Sequence, residues 1–269
     1  MIHLSAFVFY LGALVPWIHL LVRGARRHTV FLASGLTGVA VALHAMALVD
    51  FWLTFSELPL GGLAPALSSL AFVGGLALVA MLLLREVARL ALGLLPFVLV
   101  LQGAALALGI EPAPGDLDFQ GAGFVLHVAL AFLGLQGLAI ASAAGILYLI
   151  QHHELKVKRL GRLFQFIPPL ATLERVGGTG LSVGFVALSL ALVLGWAWTV
   201  QNLGSLEIDD PKVIWAVMSW MVFLGIFAAR RGRGRSEYRS ALAAVIGFGI
   251  VIGTYLALRI TAEGSGLFL

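Results

Sequence analysis

The 269-residue chain contains no cysteine, and only 11% of its residues are charged. Without a thiol it can form no disulfide, no thiolate metal site and no thiol redox centre of its own. A soluble domain carries about a quarter charged residues, whereas 61% of this chain is hydrophobic and its mean hydropathy is +1.03. Lipid must therefore be the solvent for most of its surface, and we expect an integral membrane protein.

Several familiar functional motifs are also missing. The chain has no GxxxxGK[ST], GxGxxG, HExxH or GxSxG pattern, which argues against nucleotide-driven transport and common hydrolase chemistry. No Lys, Arg, Asp or Glu falls in the middle of an apolar run, and this disfavours an ion-coupled transporter. Gln102 and Gln136 are polar side chains that could still line a path.

Apolar runs of about 20 residues, the length that crosses a bilayer, recur along the whole chain. They predict an all-α polytopic transmembrane helix bundle with about eight helices. We expect residues 1–269 to form a single integral membrane domain with no separate soluble part. The runs cover residues 3–22, 30–54, 62–84, 87–110, 121–150, 178–200, 213–229 and 241–260.

Basic residues are sorted between alternate loops. With the N-terminus outside, every Lys and Arg except Lys212 and Arg259 falls in or beside an inner loop. This positive-inside pattern predicts that both termini lie outside and that the basic loops are cytoplasmic, in a bacterial cytoplasmic membrane.

The run from Arg230 to Arg235 resembles an RNA-binding tract in composition only. We interpret it as an inner loop touching anionic lipid, and expect no nucleic-acid partner.

Two loops and two small-residue motifs stand out. Residues 151–177 read as an inner amphipathic segment on the membrane surface, ended by Pro168 and Pro169. Residues 201–212 form an outer loop flanked by Trp198 and Trp215. These indoles fit either an aromatic belt at the headgroups or a platform for a flat ligand such as a porphyrin. GxxxG spacing, which permits close helix packing, occurs at 180–184 and 249–253.

Two histidines lie within the predicted spans. His44 is eight residues from Trp52, which is roughly 12 Å along a helix, and His127 is six residues from Gly121, roughly 9 Å. Both could therefore lie at similar depth in the outer leaflet. Neutral imidazole is a good ligand for haem iron, so this pair is a candidate non-covalent, b-type haem site. The alternative is that each histidine simply bonds to a neighbouring carbonyl or hydroxyl.

Four stretches of the sequence resemble the cytochrome c assembly superfamily, which includes CcsA, CcmC and the HemX/YpjD proteins. The sequence is most similar to the HemX/YpjD branch. That resemblance implies haem binding or transfer at the outer face. It also makes His127 the counterpart of an outer haem ligand, and residues 210–212 and 215–216 the end of a tryptophan-rich segment that cradles haem. The matching stretches are FVLHVALAFLGLQGLAIASAAGILYLIQHHELKVKR (124–159), PPLATLERVGGTGLSVGFVALSLALVLGWAW (168–198), DDPKVIWAVMSWMVFLGIFAARR (209–231) and GFGIVIGTYL (247–256).

The chain also departs from that pattern. Leu203, Glu207 and Asp209 stand where the family segment has tryptophans, and Ala228 and Phe268 stand where it has histidines. We therefore expect a protein that binds or passes haem but is not an enzyme on its own.

Two alternatives stay open. One is a haem-lyase component that works with a partner subunit. The other is a haemless scaffold or regulator of haem synthesis. The expected partners are membrane lipid and other cytochrome c assembly or membrane-complex subunits.

Overall fold

A computed structural model of the chain describes residues 1–23, 27–84, 88–112, 121–158, 161–204, 210–231 and 236–263. Across these ranges all regular structure is helical, and a 3₁₀ turn at Ala88–Leu90 precedes the fourth α-helix. The α-helices are α1 (Ile2–Arg23), α2 (Arg27–Phe55), α3 (Leu63–Leu83), α4 (Ala91–Leu108), α5 (Ala122–Lys156), α6 (Arg162–Phe166), α7 (Leu170–Leu203), α8 (Pro211–Arg231) and α9 (Glu237–Glu263).

Eight of these helices are long and apolar enough to cross a membrane, and only the five-residue α6 is not. The predicted all-α class and the predicted number of spans are therefore confirmed. The side of the membrane on which each terminus lies stays a prediction, because helix length and composition do not fix it.

The predicted amphipathic segment at residues 151–177 is shorter than the sequence suggested. Helix α5 continues to Lys156 and α7 already begins at Leu170, so the expected long amphipathic segment is reduced to α6 and short connections. Helix α6 ends at Phe166, before the two prolines, and Pro169 also precedes α7, where its carbonyl accepts bonds from the amides of Thr172 (2.9 Å) and Leu173 (3.1 Å). Proline suits the start of a helix, where its missing N–H is not needed. The contact of this segment with the membrane surface stays a prediction.

The chain divides into two compact units. The first unit contains Met1–Pro114 and Leu147–Leu173, and the second contains Gly115–Ile146 and Glu174–Leu269. Helix α5 thus begins in the second unit and ends in the first. The expectation of a single integral membrane domain stays a prediction.

In the first unit, α1 packs on α2 and α4, and α3 packs on the same two helices. The buried face of α1 repeats every three or four residues, as an amphipathic helix requires; it carries Ala6, Tyr10, Ala13, Trp17 and Leu20. Arg162 of α6 donates to the Val22 carbonyl (2.8 Å) at the end of α1. A cation is favourable there because the last carbonyls of a helix lack partners.

In the second unit, glycines let α5 and α7 touch along their backbones. A Cβ added to Gly137 would lie 2.5 Å from the Gly180 carbonyl oxygen and 2.7 Å from the Gly184 Cα atom. Only glycine allows this approach. The predicted motif at Gly180 and Gly184 is therefore used for packing, whereas Gly249 and Gly253 have open space beside them.

The remaining helices of the second unit are joined by an apolar core. Helix α8 packs on α9. Asp210 caps α8, because its carboxylate accepts a bond from the Lys212 amide (2.7 Å). Pro211 is the first residue of α8, a position that suits proline. The core is formed by Leu138, Ala141, Leu181, Leu188, Phe223, Ile226, Ala244 and Val251.

The α5–α7 contact gives the first testable prediction. Gly137→Ala should destabilise the protein by roughly 1–3 kcal/mol, because the added methyl overpacks a backbone contact. Gly225→Ala is the matched control, because nothing lies within 4 Å of its added Cβ; it should be neutral or stabilising by up to about 1 kcal/mol through helix propensity. Thermal unfolding in detergent measures both. Equal midpoints for Gly137→Ala and the wild type would contradict this packing.

Candidate functional site

His127 lies in the second turn of α5, and its side chain is partly exposed. Its Nδ1 atom is 2.7 Å from the main-chain oxygen of Ala191 on α7. Because a carbonyl oxygen can only accept, Nδ1 carries the hydrogen and donates it. In a neutral ring Nε2 then keeps its lone pair, and this is the form of histidine that binds a metal. The structure therefore orients His127 as a metal ligand would be oriented.

The ring of His127 fits because Gly195 has no side chain. A Cβ added to Gly195 would lie 2.6 Å from Cε1 and 2.7 Å from Nδ1 of the imidazole. Gly195 is four residues beyond Ala191, so both lie on the same face of α7. The imidazole thus rests on the backbone of α7. We did not predict either residue from the sequence, because a main-chain oxygen and a missing side chain leave no recognisable motif.

A pair of aromatic side chains lies about one helical turn away from the imidazole. Phe124 precedes His127 by three residues, Trp198 follows Gly195 by three, and the two aromatic rings are 5.6 Å apart between centroids. Residues three apart on a helix share a face. The same pair of helices therefore presents an imidazole and an indole at adjacent positions, as a site for a flat apolar ligand needs.

Trp215 makes different contacts. Its indole N–H donates to the Val251 carbonyl (3.0 Å), and its ring lies edge-on to Tyr255 at 5.2 Å between centroids. Both partners are on α9, so Trp215 fastens α8 to α9. A role for this indole in holding a ligand stays a prediction.

His44 lies in a polar cluster inside the first unit, which we call the Ser68 cluster. The cluster consists of His3 and Tyr10 on α1, His44 on α2, Ser68 on α3 and Gln102 on α4. His44 is 0% exposed, with Nδ1 3.4 Å from the Tyr10 hydroxyl and Nε2 3.0 Å from the Ser68 hydroxyl. Polar groups of four helices therefore bond to one another within an apolar surrounding, and Nε2 of His3 is left without a partner.

The hydrogens of the Ser68 cluster can be placed from one carbonyl. The Gln102 amide nitrogen donates to the main-chain oxygen of His3 (3.4 Å), so its Oε1 atom must face the Ser68 hydroxyl (3.0 Å), which donates to it. Ser68 has only one proton. His44 Nε2 (3.0 Å) and His3 Nδ1 (3.3 Å) must then donate to Ser68. His44 Nδ1 keeps its lone pair and accepts from Tyr10.

Both ring nitrogens of His44 are therefore engaged. This arrangement is the one expected of a histidine bonded to neighbouring hydroxyls. Iron binding by His44 would require the bond to Ser68 or the bond to Tyr10 to break. His44 belongs to the first unit and His127 to the second. Their predicted pairing as two ligands of one iron stays a prediction.

The residues present would fit haem, with His127 as a protein ligand to its iron. Within the described ranges, no three His, Asp or Glu side chains converge as a metal-binding group. Haem iron needs only one or two protein ligands, and His127 offers one through Nε2. Glu207, Asp209 and Phe268 lie outside the described residues, so the changes in the tryptophan-rich segment remain an argument from sequence.

Comparison with known proteins decides the family. A model described as cytochrome C assembly protein matches residues 2–265. The chain belongs to the cytochrome c assembly protein family. Its assignment to the HemX/YpjD branch stays a prediction.

The chain is similar to proteins named cytochrome c biogenesis protein CcsA, of which three serve as examples. The one from Synechococcus elongatus is 34% identical over 93 residues, 35% of this chain and 29% of that protein. The one from Guillardia theta is 28% identical over 155 residues, 52% of each chain. The one from Chlamydomonas reinhardtii is 27% identical over 140 residues, 52% of this chain and 38% of that protein. The chain thus spans between about a third and a half of these relatives.

Proposed function

We propose that this protein handles haem in cytochrome c assembly, binding it non-covalently through His127 and passing it on. The observation that carries the proposal is the hydrogen bond from His127 Nδ1 to Ala191, which leaves Nε2 as a free lone pair on a partly exposed ring. When bound, haem supplies the iron that His127 holds and the vinyl groups that cysteine thiols of an apocytochrome attack.

The surroundings of His127 support this role. The Ala191 carbonyl fixes the tautomer and makes the imidazole a better donor to a metal, as outer-shell partners of metal-bound histidines do. Gly195 leaves room for the ring beside α7. Trp198 and Phe124 provide apolar surface next to it, which suits a porphyrin face. Together these residues bind, orient and shield a flat metal-containing ligand.

We further propose that the site faces outward from a bacterial cytoplasmic membrane. The sorting of Lys and Arg into alternate loops supports this, because basic loops are retained in the cytoplasm. Membrane lipid and other assembly subunits are then the expected partners. A protein that never takes up haem would instead be a scaffold or a regulator of haem synthesis, so haem content separates these functions.

Substitution of His127 tests the proposal. His127→Ala should weaken haem binding by about tenfold or more, because the iron loses its ligand. Gly195→Ala should also weaken haem binding, because the added methyl displaces the His127 ring although the imidazole itself is unchanged. His28→Ala, an exposed histidine at the start of α2, is the matched control and should bind haem like the wild type. Haem titration followed at the Soret band measures all three, and a wild-type titration curve for His127→Ala would refute the proposal.

Reporter fusions test the sidedness. Fusions after residues 115 and 207 should report an outside location, and fusions after residues 160 and 233 an inside one, because clusters of basic residues surround only the latter two positions, whereas Lys212 is the single basic residue near 207. An inside signal at residue 115 would overturn the proposed orientation.

A further prediction is that the chain cannot attach haem to apocytochrome c by itself. Attachment needs haem held firmly while two thiols reach its vinyl groups, and misplacement by about 1 Å can cost roughly a hundredfold in rate. Phe268 stands where a second histidine is expected, and Glu207 and Asp209 replace indoles with charges that are costly to bury. The test is co-expression with an apocytochrome in a host that lacks its own maturation proteins. Covalent cytochrome c formed there would restore the lyase function.

A further inference from the structure

Two arginines hold the short helix α6 at one end of the first unit. Arg89, in the 3₁₀ turn before α4, donates from Nη1 to the main-chain oxygens of Gln165 (2.9 Å) and Phe166 (3.1 Å). Its guanidinium lies over the Phe166 ring, 5.6 Å from the ring centroid. Arg162, the first residue of α6, donates from Nη1 to the Val22 oxygen (2.8 Å). Each guanidinium group is thus fixed to the main chain through a single nitrogen.

Both guanidinium groups have further N–H donors. A guanidinium carries five N–H groups on three nitrogens, and in Arg89 and Arg162 only Nη1 is bonded to described residues. Nε and Nη2 form a flat edge that can donate two parallel bonds to a phosphate or carboxylate. Both side chains are exposed, and no acidic side chain within the described ranges contacts either one. Two oriented positive charges therefore face outward at this surface.

This surface lies where spans of the first unit end. Helix α1 ends at Arg23 and α4 begins at Ala91, so the headgroup region of a membrane is at this level. Large apolar side chains are exposed here as well: Val22 at the end of α1, Leu83 at the end of α3 and Leu163 of α6. Helix α3 packs on the 3₁₀ turn that carries the first arginine. Cationic and apolar groups side by side match a phospholipid, whereas a free phosphate ion would need no apolar surface.

We propose that α6 and its two arginines bind the phosphate of an anionic phospholipid, with the acyl chains against the exposed apolar side chains. We call Arg89, Arg162 and Leu163 the α6 arginine site. An anionic headgroup is favoured over a zwitterionic one, because the two charges have no acidic partner among the described residues. The bonds to main-chain oxygens hold the guanidinium groups in place, so little side-chain freedom is lost when the phosphate binds.

The site is separate from His127 and does not rest on the function proposed for it. With the proposed orientation, the lipid belongs to the cytoplasmic leaflet.

The test measures lipid binding to the full chain in detergent by native mass spectrometry. Phosphatidylglycerol and phosphatidylcholine are titrated separately, and inorganic phosphate is added as a competitor. Arg89→Gln and Arg162→Gln each remove one guanidinium from the site. Arg239→Gln is the matched control, because it removes the charge of an exposed arginine in the second unit.

We expect the wild type to bind phosphatidylglycerol more tightly than phosphatidylcholine, and inorganic phosphate not to displace it. Arg89→Gln and Arg162→Gln should each weaken phosphatidylglycerol binding by about fivefold, the effect of one basic residue near an anionic membrane surface. Arg239→Gln and His127→Ala should bind it like the wild type, so a failure of the haem proposal leaves this result unchanged. Equal binding of the two lipids, displacement by phosphate, or equal losses for Arg239→Gln and the two site variants would overturn the inference.

Thermal unfolding without added lipid shows whether the glutamine variants keep the fold, since each also loses a bond to a main-chain oxygen. If they do not, Arg89→Lys and Arg162→Lys replace them, because an ammonium group keeps the charge and can still donate to a carbonyl but lacks the flat edge. Weaker phosphatidylglycerol binding by the lysine variants would support the site, and binding equal to that of the wild type would overturn it.

Discussion

Inside a bilayer a polar group has no water to bond to, so a polar group left without a partner in the protein costs free energy. This constraint decides what the two span histidines can do. Nδ1 of His127 donates a hydrogen bond to the Ala191 carbonyl, and its Nε2 has no partner. In His44, Nε2 donates to Ser68 and Nδ1 accepts from Tyr10. The first histidine therefore has one ring nitrogen without a hydrogen-bond partner, and the second has both ring nitrogens bonded.

The bond between His127 and Ala191 depends in turn on how closely α5 and α7 approach. Backbone contact between Gly137 and Gly180 brings the helices together, and Gly195 lets the imidazole lie against α7. Larger side chains at these positions would push the helices apart and take the carbonyl out of reach. Packing of small residues, which by itself says little about function, here sets the chemistry of a histidine.

Much of the fold could be predicted from the sequence, because span length and hydropathy act locally along the chain. The extent of 151–177 could not, since Pro169 can end one helix or begin the next. His127 could be singled out by its place in a span. Ala191 and Gly195 could not, because they act through a backbone oxygen and the absence of a side chain. The Ser68 cluster was also missed, since it joins residues of four helices that are far apart in sequence.

The most direct test of the account is ¹⁵N NMR of the His127 side chain in the detergent-solubilised protein, before and after haem is added. We predict a neutral ring with hydrogen on Nδ1 and an Nε2 resonance typical of a bare nitrogen, which is lost or strongly shifted on addition of haem. A hydrogen on Nε2 in the haem-free protein, or an Nε2 resonance unchanged by haem, would contradict the central claim that His127 is held ready to bind iron.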